Sequence, residues 1–321
     1  MSPSIHILHE NPAWLPPFAE ALERRGLPWS EWFLERATFD LALPPPLGVF
    51  YNRMSASSHT RGHRFSAELT AATLAWLTRW GRRVINGPGA LDLEISKVRQ
   101  YAALERHGLE TPRTVLVAGP DRIVAAAGRY FAAAPVILKP NRGGKGLGVR
   151  LFHDAAALAA HLQGPDYEPP VDGLQLLQEY VRAARPVITR AEFVGGRFLY
   201  ALEVDTSQGF ELCPADACAV GGTNRPLGEA PPARFRIVEG IPSLLRERME
   251  RFLAANDIEI AGLEFIADQG GRLLVYDVNT NTNYNPEAEA RAGRAGTPGS
   301  GPGAVAEFLE TELRRLHAEA A

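Results

Sequence analysis

The chain has 321 residues, 34 Lys plus Arg against 37 Asp plus Glu, a formal net charge of −3 and 45% hydrophobic residues. That length gives room for two or three domains; the composition excludes wholesale disorder and offers no large basic excess for nucleic acid, and no apolar run nears the roughly 18 residues of a membrane span. The opening MSPSIHILHENP lacks the basic region and apolar core of a secretory signal, and the two cysteines, Cys213 and Cys218, read as free thiols of a reducing compartment, so the expectation is a cytoplasmic protein.

In chain order, Ile5 to Leu8 is a short apolar segment, a helical pattern follows around Leu15, Phe18 and Leu22, and residues 47–51 read as a buried strand. Leu69, Ala72, Trp76 and Trp80 recur at helical spacing, and Arg83 to Asn86 reads as a strand before Gly-Pro-Gly. Alternating strands and helices predict a small α/β domain with a parallel sheet over 1–90. A second unit, 91–177, runs helix (Glu94 to His107), strand (Pro112 to Val117), helix (121–133), strand (Val136 to Lys139), strand (Gly148 to Phe152) and helix (Ala155 to Leu162), with 164–173 a loop. A third, 178–321, follows the strand Leu174 to Val181. It is expected to contain strands at 187–194 and 197–205 around Gly195-Gly196, irregular chain over 206–236, a helix at 244–256, strands at 260–267 and 272–279, and a closing helix whose last residues, LETELRRLHAEAA, read as a solvated end.

Lys97, Lys139 and Lys145 are the only lysines. Two of them sit in VILKPNRGGKGLGV, residues 136–149, where a strand ends in lysine and a glycine-rich loop follows. Glycines let backbone N–H groups approach phosphate closely. The spacing is not that of a Walker loop, since no Ser or Thr follows the lysine and a strand comes next. The same stretch also reads as an ordinary Gly-rich hairpin.

In AGLEFIADQGGRLLVYDVNTNTNYN, residues 261–285, a turn centred between Gln269 and Gly270 pairs Glu264 with Val275 and places Asp277 and Asn279 further along the same face. Two carboxylates and an amide oxygen suit Mg²⁺ or Mn²⁺; a solvated hairpin face is the alternative. Gln178 and Glu179 interrupt the apolar strand LLQEYV, and Lys97 falls just inside a helix. In YNRMSASSHTRGHR, residues 51–64, Arg53, Arg61 and Arg64 form a cationic group suited to an anionic carboxylate, or a polar loop; His59 and His63 lack a third metal ligand. Arg225, Arg291 and Arg294 are further basic candidates in an arginine-rich chain.

The ordered set over residues 85–285 resembles the ATP-grasp superfamily and, within it, the RimK-type glutamate ligases related to glutathione synthetases. The runs INGPGALDLEISKVRQYAALERHGLETPRTVLV, VILKPNRGGKGLGV and GLEFI…VYDVN carry the resemblance. It implies a three-domain ATP-grasp architecture, α/β overall and α+β in the ATP-grasp part. It implies ATP phosphates held by Lys97 and Lys139; a covering loop with Gly143, Gly144, Gly146 and Gly148, in which Lys145 sits; and adenine received by Gln178, Glu179, Tyr180 and Val181. Arg190, with Lys139, is implied in catalysis, and Glu264, Asp277 and Asn279 as magnesium ligands. The implied function is ATP-dependent ligation of a carboxylate and an amine through an acyl phosphate, with glutamate the family-level amine, or else nucleotide binding without catalysis or phosphoryl transfer alone. Homodimers or homotetramers are common in that family. Two departures stand out: Ala183 and Ile188 occupy positions where acidic residues are usual, and Asp277 stands where glutamate is common.

Overall fold

The structure is a computed structural model and describes residues 2–132, 135–144, 146–207 and 234–319. Lys145, Arg225, Cys213 and Cys218 lie outside the described residues. The chain begins with β1 (Ser4–His9), α1 (Pro16–Arg24), β2 (Trp29–Phe33), β3 (Gly48–Asn52), α2 (Ser66–Arg79) and β4 (Arg83–Ile85). The strands form a parallel sheet in the order β2-β1-β3-β4. The parallel sheet is the expected one, and β2 is an addition to it. Its sequence WSEWF alternates and is only half-buried at the sheet edge, so it lacks the continuous apolar run that marks a buried parallel strand.

Two helices follow, α3 (Pro88–Glu94) and α4 (Lys97–Arg106). A single helix from Glu94 was expected. Ser96 breaks it, because its side chain accepts from Arg99 N–H and caps a new helix that starts at Lys97. Next come β5 (Thr114–Ala118), α5 (Ile123–Phe131), β6 (Val136–Pro140), β7 (Arg150–Phe152), α6 (Ala155–Gln163) and β8 (Leu174–Glu179). They give a second sheet, β5-β8-β6-β7, antiparallel throughout.

The third sheet, β11-β10-β9-β12-β13, is also antiparallel. It comprises β9 (Val187–Val194), β10 (Arg197–Asp205), β11 (Phe235–Val238), β12 (Ile260–Ala267) and β13 (Leu273–Asn279), with α7 (Ser243–Ala255) before β12. Gly195 and Gly196 take φ of 61° and 70°, the left-handed pair that a two-residue hairpin turn requires. β11 begins inside the stretch expected to be irregular. Finally α8 (Pro286–Arg291) leads to α9 (Gly301–Glu319).

The closing helix is not a solvated end. Val305, Leu309 and Leu313 are buried with Ile5, Ile7, Val49 and Tyr51 of the parallel sheet. Buried Glu312 pairs with Arg83 at 2.7 Å. A second tie is Asn86, in the left-handed region at φ 55°. Its Nδ2 donates to Ile260 and Thr280 carbonyls, and its Oδ1 accepts from Glu259 and Ile260 N–H. Among the described residues no helix is long and apolar enough to cross a membrane.

Candidate functional site

The third sheet aligns chemistry in rows. Arg190 on β9 lies opposite Glu264 on β12, which lies opposite Asp277 on β13. The adjacent row is Glu192, Gly262 and Asn279. The expected pairing of Glu264 with Val275 is corrected: Val275 pairs with Phe265, and the register shifts at once so that Glu264 meets Asp277. Tyr276 is the extra residue of a β-bulge. Without the bulge Tyr276 would oppose Glu264, and Asp277 would turn to the other face.

Gly262 makes room in the second row. A Cβ there would stand 2.4 Å from Arg190 Nε and 2.9 Å from Glu192 Oε2. Arg190 crosses this gap, with Nε 2.8 Å from Glu192, Nη1 3.4 Å from Glu264 and Nη2 donating to Thr282 Oγ1 at 2.5 Å. Thr282 Oγ1 in turn donates to Glu192 Oε2 at 2.8 Å.

The second sheet supplies the lysine. Lys139 is buried; its Nζ donates to Tyr101 Oη at 2.6 Å and Gln178 Oε1 at 2.9 Å. Gln178 Nε2 donates to Tyr101 Oη and Thr114 Oγ1, which fixes that amide's orientation. Burial, aided by the neighbouring Lys97 charge, depresses Lys139 to about 7. Lys97, at the start of α4, forms an ion pair with Asp277. Asn141 sets that end of the helix: its carbonyl accepts Lys97 N–H and its Oδ1 accepts Val98 N–H. After β6 the glycine loop turns back, with Gly146 and Gly148 at φ 68° and 73°. Arg142 ties the loop's start to Glu68 of α2 at 2.8 Å.

These groups face one cavity of about 460 Å³. Its lining includes Lys97, Lys139, Gly143, Gly144 and Gly146; Gln178 to Val181; Arg190; and Glu264, Asp277 and Asn279. Gly148 lies just outside the lining, although its neighbours Leu147 and Val149 belong to it. Arg53, Arg61 and Arg64 are not in the lining. Arg53 is buried against the 281–283 segment, Arg61 pairs with Glu10, and Arg64 is exposed. Arg291 and Arg294 are also elsewhere, bonded to Phe235 O and Glu239.

The donor set fits a hard divalent cation. Glu264 and Asp277 face each other across one ladder step, and Asn279 Nδ2 approaches Glu264 Oε1 at 3.3 Å. Burial and the Asp277 charge push Glu264 up to about 7, against the pull of Arg190. A magnesium ion would compensate both the buried charge and the Asp277 repulsion that hold it there.

Several contributors were not anticipated from sequence. Glu94, Asn281 and Asn283 line the cavity, while Glu192 and Thr282 hold Arg190. Glu94 accepts from Ala56 N–H, Thr280 N–H and Thr280 Oγ1, and burial raises its pKa. In sequence the signal for Glu192 was its place two residues after Arg190. The Asn/Thr alternation over 279–283 was the signal for Asn281, Thr282 and Asn283, and Glu94 had none.

Residues 95–210 match the RimK-like ATP-grasp domain family model. A probable alpha-L-glutamate ligase of Teredinibacter turnerae is 30% identical over 132 residues, covering 40% of this chain and 42% of that protein. Beta-citrylglutamate synthase B of Danio rerio is 23% identical over 214 residues, covering 66% of this chain and 48% of that one. The aligned parts thus span less than half the length of these curated relatives. Among solved structures, an ATP-grasp RimK domain protein of Sphaerobacter thermophilus superposes with a TM-score of 0.65 at 17% identity, covering 95% of this chain and 98% of that one. The ATP-grasp ligase PsnB, complexed with a minimal precursor, gives 0.63 at 18% identity over 97% of this chain and 100% of that one. Residues 95–210 are thus similar to RimK-like ATP-grasp domains, and the chain as a whole shares the fold of these ATP-grasp structures.

Proposed function

We propose that this protein is an ATP-dependent carboxylate–amine ligase working through an acyl phosphate. One observation carries the reading: one cavity is lined by Lys97, Lys139 and the glycine loop together with Arg190 and the Glu264, Asp277 and Asn279 set. We assign ATP to this cavity, with its phosphates against the lysines and loop and its adenine against Glu179 to Val181. Gln178, bonded to Lys139, holds that lysine in place. We also read the three sheets as the cores of the units 1–90, 91–177 and 178–321.

In the proposed reaction a substrate carboxylate attacks the γ-phosphorus, an acyl phosphate forms and ADP leaves. An amine then attacks the acyl carbon and phosphate departs. Lys139 is a compact charge in a tight slot, which a planar guanidinium fits poorly. Arg190 is held by Glu192 and Thr282 and would stabilise charge developing on the transferring groups. Mg²⁺, held by Glu264, Asp277 and Asn279, would neutralise phosphate charge. Closing the glycine loop would exclude water from the acyl phosphate.

The amine is proposed to be an amino acid, with glutamate first because relatives are named glutamate ligases. The carboxylate is a metabolite, a peptide or a protein terminus; complexes of PsnB and MdnC with precursor peptides keep peptides in the panel. The test is ADP and phosphate release with Mg·ATP across pairs of carboxylates and amines, with mass spectrometry of products. Release is expected only when both are present, and Lys139→Ala should lower kcat/KM roughly 10²–10³-fold. ATP binding without release would mark a non-catalytic module, and a stable phosphorylated product would mark a kinase. Normal turnover by Lys139→Ala would overturn the site.

A further inference from the structure

The segment after β13 alternates in what it touches. Thr280 donates from Oγ1 to buried Glu94 at 3.0 Å, and Thr282 bridges Arg190 and Glu192. Asn279, Asn281 and Asn283 instead line the cavity. Behind this wall lies Arg53, 2% exposed, with its guanidinium 3.8 Å over the Phe18 ring. Its Nε and Nη2 donate to Asn281 Oδ1 at 3.2 and 3.0 Å, and Nη2 also donates to Asn283 Oδ1 at 2.7 Å and Thr282 O at 3.1 Å.

Two consequences follow from the chemistry of these groups. An arginine can only donate, so the atoms it touches on both asparagines must be oxygens. Their NH₂ groups are thereby fixed as the remaining donors. Asn281 is only 8% exposed, and its Nδ2 is buried without a hydrogen-bond partner among the described residues. A buried, unpaired donor costs about 1–3 kcal/mol unless a ligand supplies an acceptor. Second, every hydrogen bond of Arg53 among the described residues goes to a neutral oxygen. Its buried positive charge favours an anion on the cavity side of the wall.

We propose that Asn281, assisted by Asn283 and oriented by Arg53, forms the subsite for the carboxylate that becomes phosphorylated. The proposal rests on the ligase reading and deepens it by naming the residue that takes the carboxylate substrate. Asn281 Nδ2 donates to one carboxylate oxygen. The other oxygen forms its bond to the γ-phosphorus as the bond to the ADP oxygen breaks and that electron pair leaves with ADP. Arg53 does not itself grip the substrate; it is a positioning residue acting through two amides.

The experiment compares wild type with Asn281→Asp and Asn281→Ala. ADP release is measured with Mg·ATP, a panel of amino acids, dicarboxylates and short peptides, and hydroxylamine as the amine trap. Asn281→Asp keeps the oxygen that Arg53 needs but replaces the donor with an acceptor and a like charge. It should raise KM for the responding carboxylate roughly tenfold to a hundredfold, the worth of a hydrogen bond to a charged group. KM for ATP should change less than about twofold, and Tm should hold or rise because Arg53 gains a carboxylate partner. Asn281→Ala should raise the same KM with an unchanged direction of effect. If wild type responds and both variants keep its carboxylate KM, the subsite is wrong and the ligase reading stands. If wild type releases ADP with no carboxylate in the panel, the ligase reading falls and takes this one with it.

Discussion

Glu264 is 3% exposed and still carries a carboxyl group held near 7 by burial and by Asp277. In the unfolded chain its value is the ordinary 4.5, so over the window from 4.5 to about 7 the folded chain holds the proton more tightly. The contribution is therefore fully present below 4.5 and is lost as pH rises through about 7. Glu264→Gln lacks this loss. Melting both proteins without divalent cation at about pH 5 and about pH 8 should show wild type losing ground to the variant by on the order of 1 kcal/mol per pH unit inside the window. A stability difference that does not move with pH would show that Glu264 is not raised. Much at this scale was legible in the sequence. The scarcity of lysine singled out Lys97 and Lys139, and period-two spacing put Glu264, Asp277 and Asn279 on one face. Arg53 was not legible as a buried residue. Its partners Asn281 and Asn283 lie far along the chain, and in an arginine-rich loop a buried guanidinium looks like any other.

Strand register governs the next scale. The hairpin of β12 and β13 was visible in the sequence, but its register was one step off, because five residues, 268–272, rather than four separate the paired Ala267 and Leu273. The bulge at Tyr276 restores what the shifted turn would have lost. Gly262 belongs to the same logic: its lack of a side chain creates the passage that Arg190 occupies. Gly262→Ala should displace Arg190 and lower kcat roughly 10²–10³-fold with little change in KM for ATP, the size of losing one charge-stabilising donor. Steady-state kinetics decide it, and a variant with wild-type kcat would mean that Arg190 reaches its position by another route. The two-helix break at Ser96 was also missed. Ser96 looks like an interior helix residue until Asn141, from a distant stretch of chain, accepts from its hydroxyl and from the Val98 N–H.

Taken whole, the molecule is closed by its last helix. The helix itself was legible, but its last residues read as a solvated end, because nothing local says that Leu309 and Leu313 find their partner in the parallel sheet at the start of the chain. Ending the chain at Gly299 would expose the sheet surface that Val305, Leu309 and Leu313 cover. Burial of each such side chain is worth about 1.5–3 kcal/mol, against a total stability of about 5–15 kcal/mol. The truncated chain should lose cooperative melting by circular dichroism and bind a hydrophobic dye; an unchanged melt would refute the helix's role. The same length argument anticipated several cores, and the order of strands and helices anticipated a parallel sheet followed by mixed units. Contacts between distant stretches of chain were beyond it, since they depend on pairs such as Arg83 with Glu312 and Asn86 with Ile260.

The alternation after β13 separates two jobs along one short stretch of chain. Thr280 and Thr282 fasten it to buried carboxylates, while Asn281 and Asn283 present their amides to the cavity. A mutational library confined to positions 281 and 283 would therefore explore new acceptors while the fasteners stay in place. A single inserted or deleted residue here would exchange the two sets. Drift in specificity along a lineage should then appear as substitution at the odd positions with the segment's length held constant.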